Sequence, residues 1–130
     1  MNEANRAGNA REELARARTC LAEARTLEEA GLPYGAASRA YFAVFHGAQA
    51  LLFSVGLEAR THHGVISLVS EHFVKPGTLR PEMGRLLSRM QRDREDADYL
   101  AGAVFTAAEA REMIGNAERF VGEAERLVAR

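Results

Sequence analysis

Apolar residues recur every three or four positions along most of this chain, and nowhere do they alternate with period two. From about Asn9 to Ala30 the stripe runs Leu14, Ala17, Leu21, Ala24, Leu27 with charged residues between, which predicts an amphipathic first helix. Gly31 is placed to end it and Pro33 to open the next, so the first two helices are expected to be antiparallel neighbours. The second, from Ala36 to Gly56, is apolar nearly all round. Tyr41, Phe45, Ala48, Leu52 and Val55 share one face, while Arg39, Phe42, His46, Gln49 and Phe53 share another. A helix of that kind is covered on more than one side, which predicts a central position. The first face is expected to pack the bundle. The second is expected either to pack the fourth helix or to point to a cleft beside it.

Thr61 reads as the N-cap of a short third helix carrying Val65, Ile66, Leu68, Val69 and Phe73, stopped by Pro76 and Gly77. A fourth helix starts near Pro81 and buries Met83, Leu86, Leu87 and Met90. The same stripe continues to Arg94 and Ala97, whereas Arg85, Arg89 and Arg92 share a polar face. The pattern breaks at residues 100–104. Thr106 and Glu109 then form a capping box opening a last helix with a seam of Ala110, Met113, Ile114, Ala117, Phe120, Val121, Ala124, Leu127 and Val128. The expected fold is all-α, an up-and-down bundle of about five helices in one domain over residues 1–130.

Composition narrows the function classes. The 130 residues are 47% hydrophobic and 27% charged, the profile of a globular chain with a real core. Lys plus Arg is 17 against 18 Asp plus Glu, so bulk charge draws in neither nucleic acid nor membrane, and any such contact needs a local patch. Lys75 is the only lysine. Arginine favours bidentate carboxylate or phosphate recognition, but GC-rich coding yields the same enrichment. A single cysteine, Cys20, excludes an intramolecular disulfide and sits on an apolar stripe as a buried thiol. No signal peptide or membrane span is expected, which leaves the cytoplasm. No glutamate lies three residues before a histidine, and His62 and His63 diverge on a helix, so neither metal nor other cofactor is expected.

Candidate chemistry concentrates in Arg92-Asp93-Arg94-Glu95-Asp96-Ala97-Asp98-Tyr99. Arg94 continues an apolar stripe, where a charge needs a partner, and Asp98 lies one turn on. Tyr99 adds a hydroxyl. These residues fit either a small pocket or a buried structural ion pair.

The run from Ser38 to Leu79, SRAYFAVFHGAQALLFSVGLEARTHHGVISLVSEHFVKPGTL, followed by REDADY and then FTAAEAREMIGNAERFV, resembles the HEPN domain. HEPN is a small helical nucleotide-binding domain of higher eukaryotes and prokaryotes. The likeness covers about nine tenths of the chain in consistent order, and it is closest to the branch with an Arg-acidic-x-Ala-Asp-Tyr motif. It implies a homodimer in which motif-bearing helix ends meet at a shared cleft. It also implies a toxin-antitoxin type two-gene system, an RNA or nucleotide ligand, and a minimal nucleotidyltransferase partner that modifies a tyrosine, here Tyr99. The family's ribonuclease motif is Arg, a polar residue, a spacer, then His. Arg92 and Asp93 match its start, but the His position falls on Ala97 or Asp98, so the motif is degenerate here. The resemblance and the apolar stripe together make Arg92, Arg94 and Asp98 the catalytic candidates. The binding candidates are Arg92, Asp93, Arg94, Tyr99, Arg39 and His46. Two alternatives remain at this point, an active metal-independent endoribonuclease using Asp98 or His46 and a non-catalytic interaction module. The motif favours Arg92 as the inward arginine, and the apolar stripe favours Arg94.

Overall fold

A computed structural model describes residues 2–99 and 105–129, with the backbone alone for Asp98 and Tyr99. The break expected at 100–104 lies outside the described residues. Five α-helices follow one another: α1 (Glu3–Glu29), α2 (Pro33–Ser54), α3 (His62–Val69), α4 (Pro81–Tyr99) and α5 (Ala107–Val128). A π-helical turn, Ser70–Val74, extends α3, and no strand occurs among the described residues.

The expected all-α bundle is present, with informative differences at the helix ends. The first helix begins at Glu3 rather than near Asn9, because the Asn2 side chain accepts the Asn5 N–H at 2.9 Å and caps six residues of polar sequence that carry no periodic signal. At its other end Gly31 adopts φ +76°, and the Gly31 and Leu32 N–H groups bond back to the Glu28 and Leu27 carbonyls. That pairing closes the helix and turns the chain straight into Pro33. The second helix stops at Ser54, so Val55 falls beyond its last turn and is 47% exposed rather than packed in the bundle.

The third helix does not run uniformly to Phe73. At Ser70 the pairing lengthens, and Lys75 N–H bonds to the Ser70 carbonyl at 2.9 Å, five residues back. Phe73 is buried in this turn and accepts the Leu79 N–H on its carbonyl at 2.8 Å, which carries the fully buried Leu79 into the core.

α1, α2 and α5 pack most extensively on one another, with α3 and α4 laid against α2 and, of these two, α4 alone touching α5. The α2 surface that makes this possible is built largely from small residues. Ala36, Ala40, Ala43, Gly47 and Ala50 are all buried, and a Cβ at Gly47 would stand 3.4 Å from the Phe120 ring of α5. Arg18 with Glu125, Arg25 with Glu118 and Arg111 with Glu28 link α1 to α5. Positions rise along one helix as they fall along the other, so the two run antiparallel. No helix among the described residues is long and apolar enough to cross a membrane.

Candidate functional site

The stripe of α4 that buries Met83, Leu87 and Met90 also carries Gln91 and Arg94, two polar groups on an otherwise apolar surface. Both lie against α2. The Arg94 guanidinium lies 4.7 Å from the Phe42 ring centroid and 5.4 Å from that of Tyr41. Arg39 approaches Phe42 at 4.8 Å and also reaches Glu23 of α1 at 3.7 Å. Phe42 thus meets two guanidinium groups, an arrangement in which ring quadrupoles offset cationic charge where water is scarce.

Gln91 belongs to a polar chain spanning three helices. The buried Tyr41 hydroxyl donates to Gln91 Oε1 and also contacts His62 Nδ1. With the phenol proton committed to Gln91, His62 supplies its own Nδ1–H to the Tyr41 oxygen. Gln91 Nε2 donates to Glu95 Oε1 at 2.7 Å, and the same carboxylate oxygen lies 3.2 Å from His63 Nε2. His62 is further fixed by stacking on Phe45, with centroids 4.3 Å apart. Burial pushes the Tyr41 hydroxyl well above the ordinary phenol range, with Arg94 pulling it down and Glu95 pushing it up. Tyr41 is therefore a fixed neutral donor and not a proton shuttle.

Arg92 points the other way. It is exposed, and with His63, Ile66, Ser88, Gln91 and Glu95 it lines a cavity of about 240 Å³ at the start of α3. It also lines an adjoining groove of about 850 Å³ between α4 and the α3–π segment. Asp93 faces α5, in a crevice with Arg89, Phe105 and Glu109. Its carboxyl is raised above the usual range, chiefly by burial; Arg89 and Arg92 lower it, while Asp96 and Glu109 raise it.

The candidate residues are therefore dispersed over several faces. Arg39 and Arg94 converge on Phe42. His46 is turned to α1, where its Nδ1 lies 2.6 Å from the Glu13 carboxylate, itself buried and held also by Arg16 at 3.2 Å. Asp98 and Tyr99 occupy the last positions of α4, and their side chains lie outside the described residues. Sequence reading does not place Tyr41, Gln91 or His63 in the site, and includes Glu95 only as part of the charged run from Arg92 to Tyr99. One signal was present, since Gln91 falls on the stripe of Met83 and Leu87 and breaks it with an amide. No group of three or more His, Cys, Asp or Glu side chains among the described residues is arranged to hold a metal ion.

Comparison with known proteins bears on the same region. The sequence model of the family described as "HEPN domain" matches residues 10–127. A "UPF0332 protein" of Thermotoga maritima is 34% identical over 87% of this chain and 86% of its own length. A protein of Methanocaldococcus jannaschii described as a "Putative toxin" is 38% identical over 78% of this chain and 75% of its own. A second protein of that organism bearing the same description is 25% identical over 72% of this chain and 63% of its own.

Proposed function

This chain belongs to the HEPN domain family, and from that premise we propose that it is the toxin-like component of a two-gene system. In this reading it binds RNA or nucleotide at the C-terminal end of α4 and pairs with a minimal nucleotidyltransferase. The observation that carries the reading is the divergence of two arginines within one turn of α4. Arg94 lies against Phe42 and Tyr41, while Arg92 is exposed beside a cavity, where it can take a phosphate. Tyr99, the expected acceptor of adenylate, closes the same helix. Two relatives described as "Putative toxin" support the biological class. A homodimer bringing two α4 ends together completes the proposed cleft.

Co-expression with the product of the adjacent gene tests this directly. A stable complex is expected, together with a mass increase of one adenylate per chain that disappears in Tyr99→Phe. No complex and no mass change would sink it.

A second reading, a metal-independent ribonuclease, is favoured by one contact. His46 is committed to Glu13, but His63 offers an imidazole paired with the Glu95 carboxylate 3.2 Å away, in the cavity that holds Arg92. In this reading the imidazole takes the proton of an RNA 2′-hydroxyl, that oxygen attacks the adjacent phosphorus to close a 2′,3′-cyclic phosphate, and the 5′-oxygen leaves as a hydroxyl on taking the proton back from the imidazolium, with Arg92 countering the charge that develops. Cleavage of RNA but not of 2′-deoxy substrate, abolished in His63→Ala and Arg92→Ala, is the expected result. Equal cleavage by His63→Ala excludes this site.

A further inference from the structure

Two groups of cationic side chains contrast in this protein. Arg16, Arg18, Arg25, Arg39, Arg80 and Arg111 each reach a carboxylate, most of them across a helix–helix seam. Lys75, Arg85, Arg89 and Arg92 are exposed and make no ion pair among the described residues, yet all four line the groove of about 850 Å³ between α4 and the α3–π segment. Glu71 is the one acidic residue in that lining. Asp93 acts electrostatically on Arg89 and Arg92, but within the groove lining four cations stand against one carboxylate, and such an excess is stabilised when an anion enters. The net charge of the whole chain is -1, so any such attraction is local rather than a property of the whole chain.

We propose that this groove is a track for the sugar–phosphate backbone of single-stranded RNA. The proposal rests on RNA being the ligand at the α4 end. Arg85, Arg89 and Arg92 stand at i, i+4 and i+7, so they project from one side of the helix over about 10 Å, enough to reach about two or three successive phosphates. Ser67, Ser70 and Ser88 add hydroxyl groups along the same walls, the kind of donor that positions phosphate and ribose. The lining contains no aromatic ring, so there is no platform for stacking bases, and the groove reads backbone rather than sequence. That absence also disfavours a protein partner, whose interface core is normally built on aromatic anchors. Arg92 lines both this groove and the smaller cavity with His63 and Glu95. A strand lying along the track is therefore delivered to the end of α4.

The test is fluorescence anisotropy of a labelled oligouridylate of about 12 nucleotides, titrated at about 50 mM and about 200 mM salt. Wild type is compared with Arg85→Gln/Arg89→Gln and with Arg11→Gln/Arg126→Gln, which removes two exposed cations elsewhere. Circular dichroism confirms that each variant is folded. Loss of two phosphate contacts is expected to weaken binding by about tenfold or more at low salt, and to lower the log–log salt slope by about 1.4. The control pair is expected to bind as wild type does, and an oligocytidylate is expected to bind about equally well. If the groove variant binds RNA as tightly as wild type, the track is wrong although RNA binding stands. If it binds RNA normally but loses its co-expressed partner, the groove is a protein docking face and the proposal is overturned. If wild type binds no RNA, the track and the RNA part of the proposed function fall together, while adenylate at Tyr99 remains separately measurable.

Discussion

The guanidinium of Arg94 lies 4.7 Å from the centroid of the Phe42 ring, so a cation on the buried stripe of α4 is balanced by an aromatic face of α2. An inward arginine on this stripe reads from sequence as half of an ion pair. These ring contacts on α2 set the scale of the first prediction.

Arg94→Ala is expected to cost about 1–2 kcal/mol, and Phe42→Leu about 1 kcal/mol. The double variant should cost less than the sum of the two, because each substitution already removes the shared contact. Urea midpoints with unchanged slopes measure all three. Strict additivity would show that the two side chains do not interact.

Glu13 presents the opposite case. Its carboxylate is 6% exposed and held by His46 and Arg16, so His46→Ala leaves a buried charge with one partner fewer. A loss of about 2–4 kcal/mol is expected. His46→Ala combined with Glu13→Gln should recover part of that loss, since the uncompensated charge is gone. No recovery would argue that packing of the imidazole, and not charge, sets the cost.

Acid should destabilise the protein through Glu109 and Glu125. Thr106 hydrogen bonds hold the Glu109 carboxyl below its ordinary range, and the Arg18 hydrogen bond does the same for Glu125. A depressed folded value means stability that is present above the unfolded value of about 4.3 and lost as pH falls through the folded one. Asp93 has the reverse sign, since its raised carboxyl favours the folded state at low pH and opposes it at neutrality. The melting temperature of Glu125→Gln should therefore fall less than that of wild type as pH drops below about 4.3, and Asp93→Asn should melt higher than wild type at pH 7. An Asp93→Asn variant that melts lower at pH 7 contradicts this assignment.

Leu79 is fully buried although it lies between Gly77 and Pro81 in a stretch that reads as a loop. Leu79→Ala is expected to cost about 2–5 kcal/mol by leaving a cavity beside the π-helical turn. A loss below about 0.5 kcal/mol would place Leu79 with ordinary surface positions.

The helices and their local devices were legible because their signals are local. Thr106 with Glu109, Thr61 with Gly64, and the Met83–Met90 stripe each need only one turn or two of context. The likeness to the HEPN domain likewise rests on contiguous blocks, and the family match spans them. What could not be read were partners set by the register of one helix against another. His46 meets a glutamate 33 residues earlier, and Tyr41 meets an amide 50 residues later. Glu13 and Gln91 each interrupt an apolar stripe, so their burial was legible in principle, but which helix would satisfy them was not. The π-helical turn left no mark in the residue pattern, because Val69 and Phe73 keep a spacing of four whichever way the turn pairs.

The uneven packing of the five helices has a kinetic consequence. α1, α2 and α5 are stitched by ion pairs and close small-residue contacts, whereas α3 and α4 rest against that unit over narrower seams. Amide hydrogens of α3 and α4 should then exchange through a partial opening of lower free energy than global unfolding, while those of central α2 exchange only when the whole chain opens. The helix that bears Arg92 and ends at Tyr99 lies on the part that opens first. A modifying enzyme could therefore reach that helix end while the rest of the bundle stays folded.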